Sequence, residues 1–401
     1  MLGKLPHRTL QSLSDKYGPI MSLRLGQVPA VVISSPEAME LFLKTNDAVF
    51  ASRPKIQASE FFFYGSRGLA FSEYGPYWRN MRKLCTLHLL SVSKVESFEP
   101  LRREEVGVAV KTLERATAAR EGLKRAIKKT SKAFDSVLEK IIEEHEEAII
   151  MNSNTEKERE DFVDILLSLM HHSVDGQNYG IDRTNIKAIL IDMIGGSLET
   201  SASTILWALS ELLRHPQVMK TLQDELDTVI GTNQMVVKES DLSKLSYLEM
   251  VIKETLRLHP AGALVPREST EDVNVTLDGN GYFIKKNTRV LINLWALGRD
   301  PKVWPNAEMF CPERFNNVTN KDRDFRGVEC FEFIPFGSGR RGCPGMHLGL
   351  TTVKTVSAQL VHKFNWELPW GLSPNDLDMN ERYGLSLPRA KNLYAMPTCR
   401  K

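Results

Sequence analysis

Phe336-Gly337-Ser338-Gly339-Arg340-Arg341-Gly342-Cys343-Pro344-Gly345 sets one cysteine in a glycine-crowded loop, just behind two arginines. Met346, Leu348, Leu350, Val353, Val356, Leu360 and Val361 follow at helical spacing with no proline among them, which predicts a helix of about 18 residues. Cys343 therefore stands just outside a helix N-terminus, where the dipole and the free N–H groups favour thiolate over thiol. The four glycines leave bare backbone against which a flat, bulky partner can lie. Arg341 is a fixed cation two residues from the sulfur, suited to meeting a carboxylate.

A thiolate on a close-approach loop beside a carboxylate receptor is what an iron porphyrin needs: an axial sulfur and a home for its propionates. The plainer reading is a buried cysteine in a glycine-rich turn. Phe336, Gly339, Arg341, Cys343 and Gly345 fill every fixed position of the pattern Phe-x-x-Gly-x-Arg-x-Cys-x-Gly. On those residues the stretch resembles the haem-binding signature of the cytochrome P450 family.

The bulk numbers agree with a folded, soluble protein: 42% hydrophobic and 25% charged residues in a chain of 401. A net charge of +2 gives no case for nucleic acid as a partner. Cys85, Cys311, Cys330, Cys343 and Cys399 are an odd, dispersed set without a C-x-x-C pair, which argues against a disulfide framework and fits a reducing compartment. No apolar run reaches the ~18–20 residues of a membrane span and no signal peptide is visible, so the chain is expected to be soluble or at most peripherally attached.

Residues 2–16 predict a short helix, and 20–25 with 30–34 a hairpin around the turn Gly26-Gln27-Val28-Pro29. Pro36 and Pro76 each open a helix. Between them Phe61, Phe62, Phe63, Tyr64 and Phe71 stud an irregular stretch, which reads as a binding lid or as packing over the core. Trp78 and Arg82 share a helical face and offer indole and guanidinium donors to an anion. From Arg102 to Glu147 the chain is charged and helical. Ile127 and Phe134 belong to its apolar stripe, and the run from Lys124 to Lys132 to its solvated face. Residues 151–160 read as a loop, 161–172 as a helix, and His171-His172 as a helix end rather than a metal site.

The longest helical pattern runs from Thr184 to Arg214, about 46 Å at 1.5 Å per residue. Gly195-Gly196-Ser197-Leu198-Glu199-Thr200-Ser201 interrupts its apolar character. Small residues, an acid and hydroxyls there suggest a ligand passing close by, with a loosened turn opening a groove; a small-residue helix crossing is the alternative. Helices are expected over 216–230 and 245–258, the second carrying Glu254 and Arg257 on one face. Short strands follow at 272–275, 282–284 and 289–293, then a proline and aromatic section through Pro312-Glu313-Arg314-Phe315. Thr276–Gly279 and Val328–Phe331 read as irregular insertions.

Taken together, Trp78-x-x-x-Arg82, the Gly/Glu/Thr interruption, Glu254-x-x-Arg257, Pro312–Phe315 and the Cys343 loop stand in cytochrome P450 order. Over nearly its whole length the chain resembles the family's plant A-type group of specialised-metabolism monooxygenases. The resemblance implies one mainly α, triangular domain over 1–401 with a small β region, and haem b between the long central helix and the Cys-loop helix. It implies Cys343 as the axial thiolate and iron ligand. Trp78, Arg82, Arg341 and Arg267 would meet the propionates, Phe336, Gly339 and Gly345 would shape the haem loop, and Glu254, Arg257 and Arg314 would form a supporting ion triad. Glu199 and Thr200 would relay protons during oxygen activation. It further implies O2 and a small hydrophobic substrate, such as a phenolic or terpenoid, touching residues 61–71, 194–199, 261–265 and 383–385. Electrons would come from NADPH through a separate NADPH–cytochrome P450 reductase, since no dinucleotide fingerprint is present here. The expected location is the cytosolic face of the endoplasmic reticulum membrane.

Three departures qualify this. No N-terminal anchor is seen. Ser197 replaces a customary glycine of the long-helix motif. And Ala119-Arg120-Glu121-Gly122-Leu123 reads as an abrupt join at which several helices are missing. A truncated, non-catalytic haem-binding or unstable protein is therefore one alternative, and a haem-thiolate isomerase or dehydratase another, disfavoured by Glu199-Thr200. A zinc site on Cys343 and His347 lacks a second ligand pair.

Overall fold

The computed structural model describes residues 2–56, 59, 63–118, 131–151, 160–172, 179–232, 236–316, 323–327 and 330–400. The join at 119–123, Phe61, Phe62, Lys124, Arg125, Ile127, most of the 151–160 loop and Val328 lie outside the described residues. The chain divides into two compact units, one of residues 1–51, 98–121 and 198–401, the other of 52–97 and 122–197.

In the first unit α1 (Pro6–Tyr17) precedes the hairpin β1 (Ile20–Leu25) and β2 (Val28–Ile33). Val28 and Pro29, expected in the turn, are in the strand, because Gly26 at φ 65° closes the hairpin within two residues. Pro29 is tolerated because β2 pairs with β6 (Arg289–Asn293) only from Ala30 onward, so its missing N–H breaks no ladder bond on that side. β2 and β6 run parallel, which requires a long crossover, and the helical section of the chain supplies it.

β3 (Leu264–Glu268) completes the sheet in the order β1-β2-β6-β3. Sequence reasoning missed this strand because its one fully buried position is an arginine, Arg267, rather than an alternating apolar set. β4 (Val273–Leu277) and β5 (Asn280–Ile284) form a regular hairpin. The expected insertion at Thr276–Gly279 is instead its two-residue turn, with Asp278 at φ 51° and Gly279 at φ 78°, the left-handed pair that matches strand twist. β7 (Phe364–Glu367) and β8 (Met396–Cys399) make a second small pair.

Helices α9 (Pro216–Val229), α10 (Ser246–Leu258) and α12 (Met346–Lys363) pack their apolar faces around Trp304, Phe315 and Phe333 to form the main core. The short α2 (Pro36–Glu40) and α11 (Leu294–Leu297) lie against the sheet core, and α5 (Glu99–Ala118) belongs to the same unit. The second unit holds α3 (Pro76–Leu84), α4 (Val92–Ser97), α6 (Ser131–Met151) and α7 (Phe162–His171). The charged, helical stretch expected over 102–147 contains two described helices, α5 and α6. The 32-residue α8 (Arg183–Arg214) contributes residues to both units.

His171 ends α7 and His172 follows as its C-cap, as expected. Asp161 caps the other end, accepting the N–H groups of Val163 and Asp164 in a capping box. Its second oxygen lies 2.8 Å from Nε2 of His145 on α6, whose Nδ1 donates to the Ile141 carbonyl at 2.7 Å. Burial alone would lower the His145 pKa, but its bonds to Asp161 and Ile141 outweigh it and the net shift is upward. A raised histidine pKa contributes stability that is present below the unfolded value and lost as pH rises through the folded one. Because the pair is partly exposed, the loss between pH 6 and 8.5 is expected to be only tenths of a kcal/mol. It should vanish in His145→Ala when urea midpoints are compared at the two pH values.

Candidate active site

The Cys343 loop is built from the first unit alone. A one-turn helix at Gly339–Arg341 leads into it, and Cys343 N–H donates to the Phe336 carbonyl at 2.9 Å, pulling the loop into a tight fold. Cys343 is exposed, two residues before Gly345, the N-cap of the 18-residue α12. Gly339 sits at φ 68°, and a Cβ there would lie 2.5 Å from both the Asp47 carboxylate and the Leu43 carbonyl. The close approach exists because Asp47 holds the loop: its Oδ2 accepts the Arg340 backbone N–H at 3.0 Å and its guanidinium at 2.8 Å. Asp47 carried no sequence signal beyond being a polar residue after a helical run. Gly339→Ala is expected to cost about 1–3 kcal/mol in urea unfolding, from a left-handed alanine and a displaced Asp47.

Two buried cations stand near the loop and in the sheet. Arg341 is buried, and its Nε donates to the Ala51 carbonyl at 2.7 Å, which fixes the direction of its fork. Arg267 is buried in β3. Open space surrounds the Cβ positions of Gly337 and Gly345. An exposed sulfur, bare backbone beside it and buried guanidinium groups form a donor set that fits a planar metal macrocycle with anionic arms. Among the described residues no three-ligand metal group includes Cys343 or His347.

Glu254, Arg257 and Arg314 come together as expected. The Arg257 fork donates to Glu254 at 2.7 and 2.8 Å, to the Ala307 and Met309 carbonyls at 2.7 and 3.0 Å, and to the Gly298 carbonyl. Glu254 also accepts the Arg314 Nε–H at 2.9 Å and the Cys311 backbone N–H at 2.8 Å. Trp304 lies under the Arg257 guanidinium and gives its indole N–H to the Leu297 carbonyl. One carboxylate thereby ties α10 to the irregular segment that precedes the Cys343 loop.

The long helix expected over 184–214 is present as α8. The helix is continuous from Arg183 to Arg214, because both glycines are tolerated with open space around them. Two hydroxyls bond back to the helix here, that of Ser197 to the Ile194 carbonyl at 3.4 Å and that of Thr204 to the Thr200 carbonyl at 2.9 Å. Glu199 is exposed and Thr200 half-buried. Farther along, Nε2 of buried His259 lies 2.7 Å from Glu211 of α8, and its ring stacks on Trp207 at 3.9 Å.

In the second unit Trp78 and Arg82 are both on α3, but the Trp78 indole N–H is given to the Leu69 carbonyl at 3.0 Å. The Leu69 N–H in turn goes to Asp192, which also accepts from Ala70 at 3.0 Å. Burial pushes the Asp192 carboxyl up to about 6 against those two hydrogen bonds. Gly68 admits no side chain, since its Cβ position is filled by that carboxylate. An acid alone between Ile191 and Met193 in an apolar stretch was the sequence signal that reasoning passed over.

The family model of cytochrome P450 matches residues 1–124 and 118–396. A cytochrome P450 of Panax ginseng is 46% identical over 466 aligned positions, covering 100% of this chain and 90% of the relative. The 5-epiaristolochene 1,3-dihydroxylase of Nicotiana tabacum and the premnaspirodiene oxygenase of Hyoscyamus muticus are each 37% identical, over 99% of this chain and 89% of theirs. A zebrafish cytochrome P450 solved with progesterone superposes with a TM-score of 0.80 at 24% identity, over 98% of this chain and 99% of that one. Among the described residues no helix is long and apolar enough to cross a membrane. Sequence, fold and relatives agree: the chain belongs to the plant A-type group of the cytochrome P450 family and is a haem-dependent monooxygenase.

Proposed function

We propose that the chain inserts one oxygen atom of O2 into a small apolar plant metabolite of terpenoid type, with Cys343 as the axial ligand. The observation that carries this reading is the exposed Cys343 thiol on bare backbone, beside the buried Arg341. The names of the Nicotiana and Hyoscyamus relatives support the substrate class. When bound, haem supplies the oxygen-activating chemistry; the chain's residues hold it and manage protons. Arg341 and Arg267, both buried in the first unit, would neutralise its propionates. Phe336, Gly339 and Gly345 keep backbone rather than side chain against the ring.

Glu199 is exposed, so its carboxylate can exchange protons with water and pass them to Thr200 Oγ1 one residue on. The aromatic pair Phe63–Phe71, with ring centroids 4.5 Å apart, would line the substrate side. Electrons would come from NADPH through a separate reductase at the cytosolic face of the endoplasmic reticulum.

A second reading is an internally shortened, non-catalytic protein. It is favoured by the family match falling into two pieces that meet at residues 118–124. One spectrum separates the two. Dithionite-reduced purified protein under carbon monoxide is expected to show a strongly red-shifted Soret band; a neutral-ligand band, or none, would overturn the oxygenase reading.

A further inference from the structure

The first turn of α1 is tied to a loop 374 residues further on. His7 is fully buried, and its Nε2 lies 2.7 Å from Oε1 of Glu381, which is buried as well. An ionised carboxylate only accepts, so Nε2 carries the proton and donates. Arg8 Nε–H donates to the same oxygen. Burial alone would raise the Glu381 carboxyl, but the bonds to His7 and Arg8 outweigh it and hold it at about 2, so it stays charged at neutral pH. The His7 carbonyl accepts from the buried Asn293 amide at 2.9 Å, and Asn293 also caps α11. The His7 ring meets Trp295 of α11 edge-on at 5.2 Å. The clamp on Glu381 is therefore fixed by α11 as well as by its own helix.

Glu381 stands at the foot of a closed loop. It pairs with Arg389 in an antiparallel bridge, and the Arg382 N–H donates to the Pro388 carbonyl at 2.9 Å. The far leg is seated: Leu387 is buried, its N–H goes to the Ala261 carbonyl at 3.0 Å, and its carbonyl accepts the Trp207 indole N–H at 2.9 Å. The tip is not. Tyr383 is 40% and Leu385 75% exposed, and Tyr383 stacks on the His7 ring at 5.7 Å. Without its donors the buried Glu381 carboxylate loses its compensation, and the near leg yields before the apolar far leg. We propose that His7 and Arg8 are positioning residues for the oxygenase. By gripping Glu381 they hold the Tyr383–Leu385 tip in register with the 261–265 segment, and that register decides which apolar molecules the site accepts. The selectivity rests on the oxygenase reading, in which residues 261–265 and 383–385 meet the substrate; the clamp itself does not.

The test compares the natural holoprotein with His7→Ala and with His7→Gln, whose amide N–H can stand where Nε2 stands. Trypsin cutting after the exposed Arg382, mapped by mass spectrometry, reads the loop. It is expected to quicken about tenfold in His7→Ala and to return to within about threefold of the natural rate in His7→Gln. The ferric protein is then titrated with imidazole and with phenylimidazole, each followed by its Soret shift. In His7→Ala the phenylimidazole Kd is expected to rise about fivefold while that of imidazole stays within about twofold, since only the larger ligand reaches the tip. His7→Gln is expected to restore the larger part of that difference.

Both azoles weakened alike would mean that the clamp serves the fold rather than the tip, and both unmoved would leave His7 a fastening of α1 alone. Either overturns the inference, as does cutting after Arg382 at the natural rate. Should His7→Ala fail to fold, Arg8→Ala, whose side chain is 44% exposed, carries the same two measurements and is judged by the same outcomes. The carbon monoxide spectrum keeps the two failures apart. Without a red-shifted band the oxygenase reading falls, while the trypsin rate still decides whether the clamp holds the loop.

Discussion

Arg257→Ala is expected to cost about 3–5 kcal/mol, the toll of breaking a buried, hydrogen-bonded charge pair. Against a total stability of about 5–15 kcal/mol, that is enough to leave much of the protein unfolded at 37 °C. The size follows from what Arg257 does. Its fork neutralises a fully buried Glu254 and satisfies the carbonyls of Gly298, Ala307 and Met309. Removing it takes the guanidinium donor from the buried Gly298 carbonyl and opens a cavity beside Trp304. Arg314 still reaches Glu254, so the carboxylate is not abandoned, which places the cost within that range rather than beyond it. Arg257→Lys is expected to recover little, because an ammonium cannot present two parallel donors to the carboxylate and three more to carbonyls. Urea unfolding checks both; a loss below about 1 kcal/mol for the alanine variant would mean that the triad is not holding the segment.

Cys343→Ser is expected to do the opposite: abolish the red-shifted Soret band and all oxygenase turnover while leaving the fold intact. Cys343 is exposed and serine is nearly isosteric with it, so stability should move by no more than about 0.5 kcal/mol. Serine keeps the loop's shape, since the Cys343 N–H bond to the Phe336 carbonyl belongs to the backbone. What is lost is a soft anionic sulfur that serine's hydroxyl cannot replace. Spectrum and urea midpoint measured on one preparation decide the matter. A retained red-shifted band would move the axial ligand to another residue, and a large stability loss would make Cys343 structural.

The sequence by itself determined a good deal here. Proline at the first turn and periodic apolar residues placed α1, α3, α9, α10 and α12 within a few residues, because those signals act locally. The Cys343 loop was legible because a signature packs its chemistry into ten consecutive residues. The Glu254–Arg257 pair was visible only as an i,i+3 spacing of little weight; its meaning came from Arg314, Cys311 and three carbonyls reached across more than forty residues. β3 was hidden because an arginine occupies its buried position. Asp47 was hidden because its partner lies 293 residues away, where no local pattern can point.

The tertiary structure alone decided that Trp78 gives its N–H to a backbone carbonyl and that Leu198 and Leu206 face water. Each depends on which surfaces meet after the chain has folded, and a hydrophobic pattern states only which surfaces ought to be covered, not whether anything is there to cover them.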